Sequence, residues 1–214
     1  MTTNLIIIRH GNTFDKGDVC TRVGKNTDMA LSNSGKDQGI LLGKFFQLKN
    51  IKPDVVFTSN LQRTYQTAEI ALKEAGLNSE FTKLEIFDEV DYGPDENKTE
   101  EDVIARIGEQ AIEDWNKSGI TPPGWKFDSE KTIQDWKDFA AKVEKEYKDK
   151  TVVVVTSNGV ARFTPHLTGD FNGFIENNKI KISTAACCFF HKEETDKNWT
   201  ISEWNAKPKD HVTL

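Results

Sequence analysis

The chemistry in this chain is concentrated where apolar runs end. In NLIIIRHGNT, residues 4–13, the side chains Leu5, Ile6, Ile7 and Ile8 run directly into Arg9 and His10. Burying a cation costs free energy unless it is paired or serves a ligand, so an interior strand ending in two basic groups and a glycine needs a reason. Two further runs end in related chemistry. DVVFTS, residues 54–59, delivers Thr58 and Ser59 and then Arg63 on the first turn of a helix; TVVVVTS, residues 151–157, delivers Thr156 and Ser157 and then Asn158 and Gly159. Arginines, an imidazole, small hydroxyls and helix N-termini suit a phosphate group, whose oxygens accept bidentate arginine and backbone N–H donors. Each feature alone has a plain explanation. A lone Arg-His-Gly arises by chance in roughly a few per cent of chains this size, Arg63 is of a type usually solvated, and Ser157 and Asn158 are common helix caps. Their joint position at strand ends favours a site.

Elements must exist to hold these groups. Residues 4–9, 54–59 and 151–157 lack the alternation of a half-exposed strand and read as buried parallel strands. Between them lie amphipathic helices. Residues 32–49 place Ile40, Leu41, Phe45 and Leu48 on one face, and residues 60–75 carry Leu61, Tyr65, Ala68 and Leu72 at helical spacing. Thr99 with Asp102 forms a capping-box pattern that opens a helix to about Lys117. Residues 130–148 carry Ile133, Trp136, Val143 and Tyr147. The stretch 179–205 reads as two strands joined by a polar turn. This alternation predicts an α/β fold, three layers in αβα order with a mostly parallel central sheet. No repeat or low-complexity linker divides the chain, so residues 1–214 are expected to form a single domain with a covering insertion around 90–130. Its clearest loop is SGITPPGWKFD, 118–128, read as passing over the sheet edge. In open α/β sheets ligands bind outside the carboxyl ends of the strands, which is where the groups above fall.

Composition narrows the partners. Charged residues make up 29% of the 214 and the formal net charge is −6, which argues against a nucleic-acid groove or an anionic membrane surface as the main partner. An anion site must then be a local basic cluster. Of the three cysteines, Cys187 and Cys188 are adjacent and do not suggest a disulfide framework. There is no signal-peptide pattern and no apolar run of membrane-spanning length, so a cytoplasmic location is expected, and the sequons at Asn97 and Asn198 read as chance. The histidines and cysteines lack metal-ligand spacing.

LIIIRHGNT resembles the signature of the histidine phosphatase superfamily, the fold of phosphoglycerate mutases and related phosphatases. Three more segments resemble it in the family's order: TDMALSNSGKDQG at 27–39, VVFTSNLQRTYQTAEI at 55–70 and DEVDYGPDENK at 88–98. The resemblance implies that His10 is the nucleophile that accepts a phosphoryl group. It implies that Arg9 and Arg63 hold the phosphoryl oxygens and that Glu89 is the general acid and base. Asn12 and Ser59 are expected as further hydrogen-bond donors. Arg22 lies where members place substrate-contacting residues, with a solvated arginine equally acceptable there. The implied partner is a small phosphorylated substrate or phosphate, with no cofactor and no metal; the route needs neither. Members handle sugar phosphates, nucleotides, phosphoproteins and inositol phosphates, and the selecting residues are expected in 14–27 and 92–130, which include Trp125. Nothing in the sequence indicates an oligomeric state.

One departure stands out. Where the family has its second catalytic histidine, this sequence has Ser157, followed by Asn158. His166, His191 and His211 lie elsewhere and read as packing or surface residues. Losing one transition-state donor costs about 10²–10³ in rate, roughly 3–4 kcal/mol. Ser157 and Asn158 are expected both to cap the following helix and to donate to phosphate in part compensation. The favoured reading is a phosphatase acting through phospho-His10. The alternative is a weakened or inactive phospho-ligand-binding protein on the same fold, and a phosphoglycerate mutase ranks below both.

Overall fold

The computed structural model describes residues 2–78 and 80–214. Six strands, β1 (Thr2–Arg9), β2 (Val55–Thr58), β3 (Thr82–Lys83), β4 (Thr151–Thr156), β5 (Cys187–Glu193) and β6 (Thr200–Ala206), form one sheet in the order β3-β2-β4-β1-β5-β6. β4 pairs in parallel with both β1 and β2, and β2 with β3, whereas β5 runs antiparallel to β1 and to β6. All but β5 therefore point the same way, as a mostly parallel sheet requires. The two-residue β3, with both side chains exposed, carries no apolar pattern to announce it.

Alternation across the strands sends side chains into two cores. Leu5, Ile7, Val152 and Val154 join Trp136, Phe139 and Phe163 on one face, while Ile6, Ile8, Val153 and Val155 join Leu42, Phe45, Ala68 and Leu72 on the other. Helices α1 (Asn33–Leu48) and α2 (Gln62–Glu74) cover the second face. Helices α3 (Glu100–Ile107), α4 (Glu109–Ser118) and α5 (Ser129–Glu146) lie toward the first, followed by the short α6 (Asn158–Ala161) and α7 (Phe171–Asn177). The three-layer αβα architecture follows.

Two details differ from the sequence reading. The helix expected from Thr99 to Lys117 is two helices. Its capping box is present, but Gly108 at φ 86° breaks it. The buried face of α1 is built on Leu42, Phe45 and Phe46, while Leu48 is exposed. The turn of the helix is set by Gly43, where a Cβ would lie 2.5 Å from the Ala71 carbonyl of α2. Ser118 closes α4, and 119–128 is a loop tied to the chain just after Glu89: Lys126 bridges Asp91, and Trp125 Nε1 donates to buried Asp95 at 2.7 Å. Among the described residues, no helix is long and apolar enough to cross a membrane.

Candidate functional site

Register brings six of the predicted residues to one cleft, and leaves Ser59, Arg63 and Ser157 off its walls. Arg9 at the end of β1 lies opposite Thr156 at the end of β4, and His10 N–H donates to Thr156 O at 3.0 Å. Above these ends opens a cleft of about 880 Å³ whose walls include Arg9, His10, Asn12, Arg22, Glu89 and Asn158.

His10 is buried, at 6% exposure, and its Nδ1 lies 2.7 Å from the Gly11 carbonyl. Only a protonated Nδ1 can donate to a carbonyl, so this contact assigns the tautomer and leaves the Nε2 lone pair free. Burial, then the charges of Arg63 and Arg9, hold the imidazole well below its ordinary pKa. A neutral, oriented imidazole results. Glu89 is buried at 7% exposure, and burial raises its pKa despite Arg63, the Val90 N–H, Arg162 and Arg9, all of which favour the carboxylate. A carboxyl raised in this way can carry a proton at higher pH than usual. Gly159 gives it room, since a Cβ there would lie 2.1 Å from Glu89 Oε1.

The arginines differ in what remains to them. Arg9 Nη1 donates to Ile182 O at 2.7 Å, while its Nε is buried with no hydrogen-bond partner. Arg63 is fully buried, off the cleft wall. Its Nη atoms donate to Thr27 O at 3.0 Å and Gly24 O at 3.1 Å, bracing that loop, and its Nε is unpartnered. The bidentate grip expected of Arg63 is therefore already committed to backbone, leaving Nε.

Other expectations are revised. Ser59 does not line the cleft; its Oγ accepts from Leu61 N–H at 3.1 Å and pairs with Thr64 Oγ1 at 2.7 Å, steadying the start of α2. Asn12 does line the cleft, with its Nδ2 donating to Ser34 Oγ at 3.2 Å. Neither Ser157 nor Asn158 caps α6 through its side chain. Ser157 Oγ is buried and unpartnered, and Asn158 Oδ1 accepts from Ile182 N–H at 2.8 Å, fixing the segment that also anchors Arg9. His166 is stacked on Phe171 at 3.8 Å between ring centres and does not line the cleft.

Sequence reasoning missed Arg162 as a site residue. It is 2% exposed, lines the cleft, donates to Trp115 O at 2.7 Å, and lies 4.1 Å from that indole ring. Burial lowers its pKa to about 10, against the pull of Tyr92 and Glu89. The signal was the one that drew attention to Arg9: an arginine inside an apolar run, Val160-Ala161-Arg162-Phe163. Among the described residues, no cluster of His, Cys, Asp and Glu is placed to hold a metal ion.

Comparison with known proteins extends the picture. The family model of the histidine phosphatase superfamily (branch 1) matches residues 5–207. A 2,3-bisphosphoglycerate-dependent phosphoglycerate mutase of Arthrobacter sp. (strain FB24) is 31% identical over 125 residues, covering 58% of this chain and 49% of that protein. The corresponding mutase of Thermobifida fusca (strain YX) is 34% identical over 125 residues, 56% of this chain and 49% of that protein. The chain thus spans about half the length of these curated relatives. Among solved structures, a mycobacterial glucosyl-3-phosphoglycerate phosphatase superimposes with a TM-score of 0.76 at 19% identity, covering 96% of this chain and all (100%) of that one. A phosphoserine phosphatase from Entamoeba histolytica, in complex with 3-phosphoglyceric acid, superimposes with a TM-score of 0.73 at 18% identity, covering 95% and 96%. At these identities the structural likeness speaks to the fold.

Proposed function

This chain belongs to the histidine phosphatase superfamily (branch 1), and from that premise we propose that it hydrolyses small phosphomonoesters through a phosphohistidine on His10. One observation carries the reading. His10 is held neutral with its Nε2 lone pair free, beside buried arginines and a carboxyl whose burial favours its protonated form.

The chemistry runs in two balanced steps. His10 Nε2 attacks phosphorus as the bond to the leaving oxygen breaks, and Glu89 gives its proton to that oxygen. Water then attacks the phosphohistidine, Glu89 takes the proton, the N–P bond breaks and inorganic phosphate departs. Arg9 Nε, Arg63 Nε and Ser157 Oγ are buried donors with nothing to bind in the protein itself, and donors of this kind stabilise the charge that develops on the transferring group. Arg162 and the Asn158 amide are placed to add to it from the cleft wall. The segment around 90–130, taken as the cover of a single domain over 1–214, contributes Tyr92, Glu100, Trp115 and Asn116 to the cleft that Glu89 and Arg22 also line.

A second reading has its own support. Asn158 Oδ1 is committed to Ile182, and among the described residues no histidine other than His10 lines the cleft, so a protein that binds phosphorylated ligands without turnover fits the same walls. The test is p-nitrophenyl phosphate hydrolysis between about pH 5 and 8 by wild type and His10→Ala, with acid-quench trapping of phosphohistidine. Turnover and trapping that vanish in the variant support the phosphatase; phosphate binding with neither favours the binder. Isomerisation of 3-phosphoglycerate, assayed in parallel, separates a hydrolase from the mutases to which the chain is similar.

A further inference from the structure

The peptide unit that fixes the His10 tautomer is itself held from behind. Its carbonyl, Gly11 O, accepts from His10 Nδ1, and its N–H, on Asn12, donates to Gln38 Oε1 at 2.8 Å. Gln38 Nε2 donates in turn to Thr184 Oγ1 at 3.0 Å. The Gln38 amide has one allowed orientation, because reversing it would set its NH2 against the Asn12 N–H, donor against donor. Gln38 is half-buried and stands one turn along α1 from Gly35, on the same face. At Gly35 the helix backbone presses on Asn12: a Cβ there would lie 2.1 Å from Asn12 O and 3.0 Å from Asn12 N. The preceding peptide is held separately, by Gly11 N–H donating to Thr67 Oγ1 at 3.0 Å. Thr184 and His10 line the cleft and Gln38 does not, so what Gln38 does for a substrate it does through these neighbours.

We propose that Gln38 is a positioning residue for the nucleophile: by holding the Gly11–Asn12 peptide it keeps the proton on His10 Nδ1 and the lone pair on Nε2. The inference rests on His10 as the phosphoryl acceptor and deepens that reading by naming the side chain that orients it. Two effects act together. The first is geometric. Glycine has the freest backbone of any residue, so without the Asn12 N–H bond the peptide can turn and carry Gly11 O away from the ring. The second is electronic. A peptide that donates through its N–H accepts more strongly at its carbonyl, by about 10–30% per bond in a hydrogen-bonded chain. A neutral imidazole deprived of this acceptor can move its proton to Nε2, and that tautomer has no lone pair there to attack phosphorus. Groups that orient a metal-binding histidine from its far side matter about 10–100-fold, and a nucleophilic imidazole has the same need.

The test reads the His10 tautomer directly, by proton–nitrogen correlation NMR on protein carrying 15N-labelled histidine, with His10 identified by the signals lost in His10→Ala. Gln38→Met removes the acceptor at similar size, Gln38→Asn keeps the amide but falls one methylene short, and Gln38→Glu keeps an acceptor for the Asn12 N–H. The wild type and Gln38→Glu are expected to show the Nδ1–H form, and Gln38→Met and Gln38→Asn a shift toward Nε2–H. In Gln38→Met, kcat on p-nitrophenyl phosphate should fall about 10–100-fold. Inorganic phosphate, bound by donors that Gln38 does not touch, should keep its affinity by calorimetry. An unchanged Nδ1–H form in the Met and Asn variants overturns the inference. So does a loss of phosphate affinity in step with kcat, which would make Gln38 a support of the whole cleft. If Gln38→Met does not fold, Gln38→Asn decides. A wild type that hydrolyses no ester defeats the phosphatase reading and leaves the NMR comparison to judge Gln38; an active enzyme whose Gln38 variants keep both tautomer and rate defeats the Gln38 inference alone.

Discussion

Alanine at Gly159 would place a methyl group where the proposed general acid stands. Its Cβ would lie 2.1 Å from Glu89 Oε1, 3.1 Å from Glu89 Cδ and 2.6 Å from Val90 Cγ2. Ordinary contact begins near 3.4 Å, so Oε1 must retreat by about 1.3 Å, the difference between 3.4 and 2.1 Å. The carboxyl has little room to do so, being 7% exposed with Oε1 accepting from Val90 N–H at 3.0 Å. Misplacing a reacting group by about 1 Å costs on the order of 100-fold in rate, or about 2.7 kcal/mol. The loss should depend on the leaving group. An alkyl phosphate such as glycerol phosphate releases an alkoxide that needs the Glu89 proton, whereas p-nitrophenolate departs without one. Gly159→Ala is therefore expected to lower kcat/KM about 100-fold on the alkyl ester and less than about 5-fold on p-nitrophenyl phosphate. A thermal melt beside the kinetics separates a displaced carboxyl from an unfolded protein. Equal losses on both esters in a folded variant would refute the reasoning, and so would no loss on either.

Other outcomes follow from the same geometry. Inorganic phosphate at about 100 times its Kd should stabilise the fold by about 2.7 kcal/mol, seen as a rise of roughly 5–10 °C in Tm for a chain of this size; no rise by scanning fluorimetry would count against an anion site. His10 is held neutral in the fold but takes a proton near pH 6.5 when unfolded, so below pH 6.5 the unfolded state binds more protons and stability falls. Between pH 6.5 and 5 this contributes up to about 2 kcal/mol, and urea unfolding of His10→Gln should lack that slope. Glu89 acts with the opposite sign: its raised pKa makes the folded state the better proton acceptor above pH 4.5, so Glu89→Gln should soften the loss of stability as pH climbs through its folded pKa. Asp95→Ala strands the buried Trp125 Nε1 donor and the Arg106 guanidinium, and denaturant unfolding should register about 2 kcal/mol of lost stability.

The sequence made plain those features that depend on neighbours along the chain. Uninterrupted apolar runs marked β1, β2 and β4, because a strand covered on both faces has no polar side to alternate with. Thr99 and Asp102 marked the start of α3 because a capping box is local chemistry. The break at Gly108 was not legible, since a glycine inside a helical pattern is tolerated as often as it ends one. Ser59 was ambiguous for a related reason: a serine hydroxyl suits a phosphate and a helix start equally, and only the fold shows it beside Leu61 N–H and Thr64. Arg162 and Trp115 are 47 residues apart and Arg22 and Glu100 are 78 apart, so no local pattern could have joined them.

Residue type tells which donors a chain owns; the fold decides where each is spent. Arg63 fits the phosphate-binding pattern, yet its Nη atoms hold the 23–27 loop and only Nε is left over. Arg9 shows the same division, with Nη1 committed to Ile182 and Nε free, and Ser157 keeps an unspent hydroxyl at the end of β4, which lies between β2 and β1 in the sheet. A buried donor without a partner costs about 1–3 kcal/mol, and three of them amount to a large part of the 5–15 kcal/mol by which a typical domain is stable. A sequence shaped only for folding would have little reason to keep that cost at the carboxyl ends of β1, β2 and β4. On the function proposed here, donors withheld from the fold in this way are held for a ligand, and an oxyanion is the ligand whose acceptors match N–H and O–H groups without offering a donor in return.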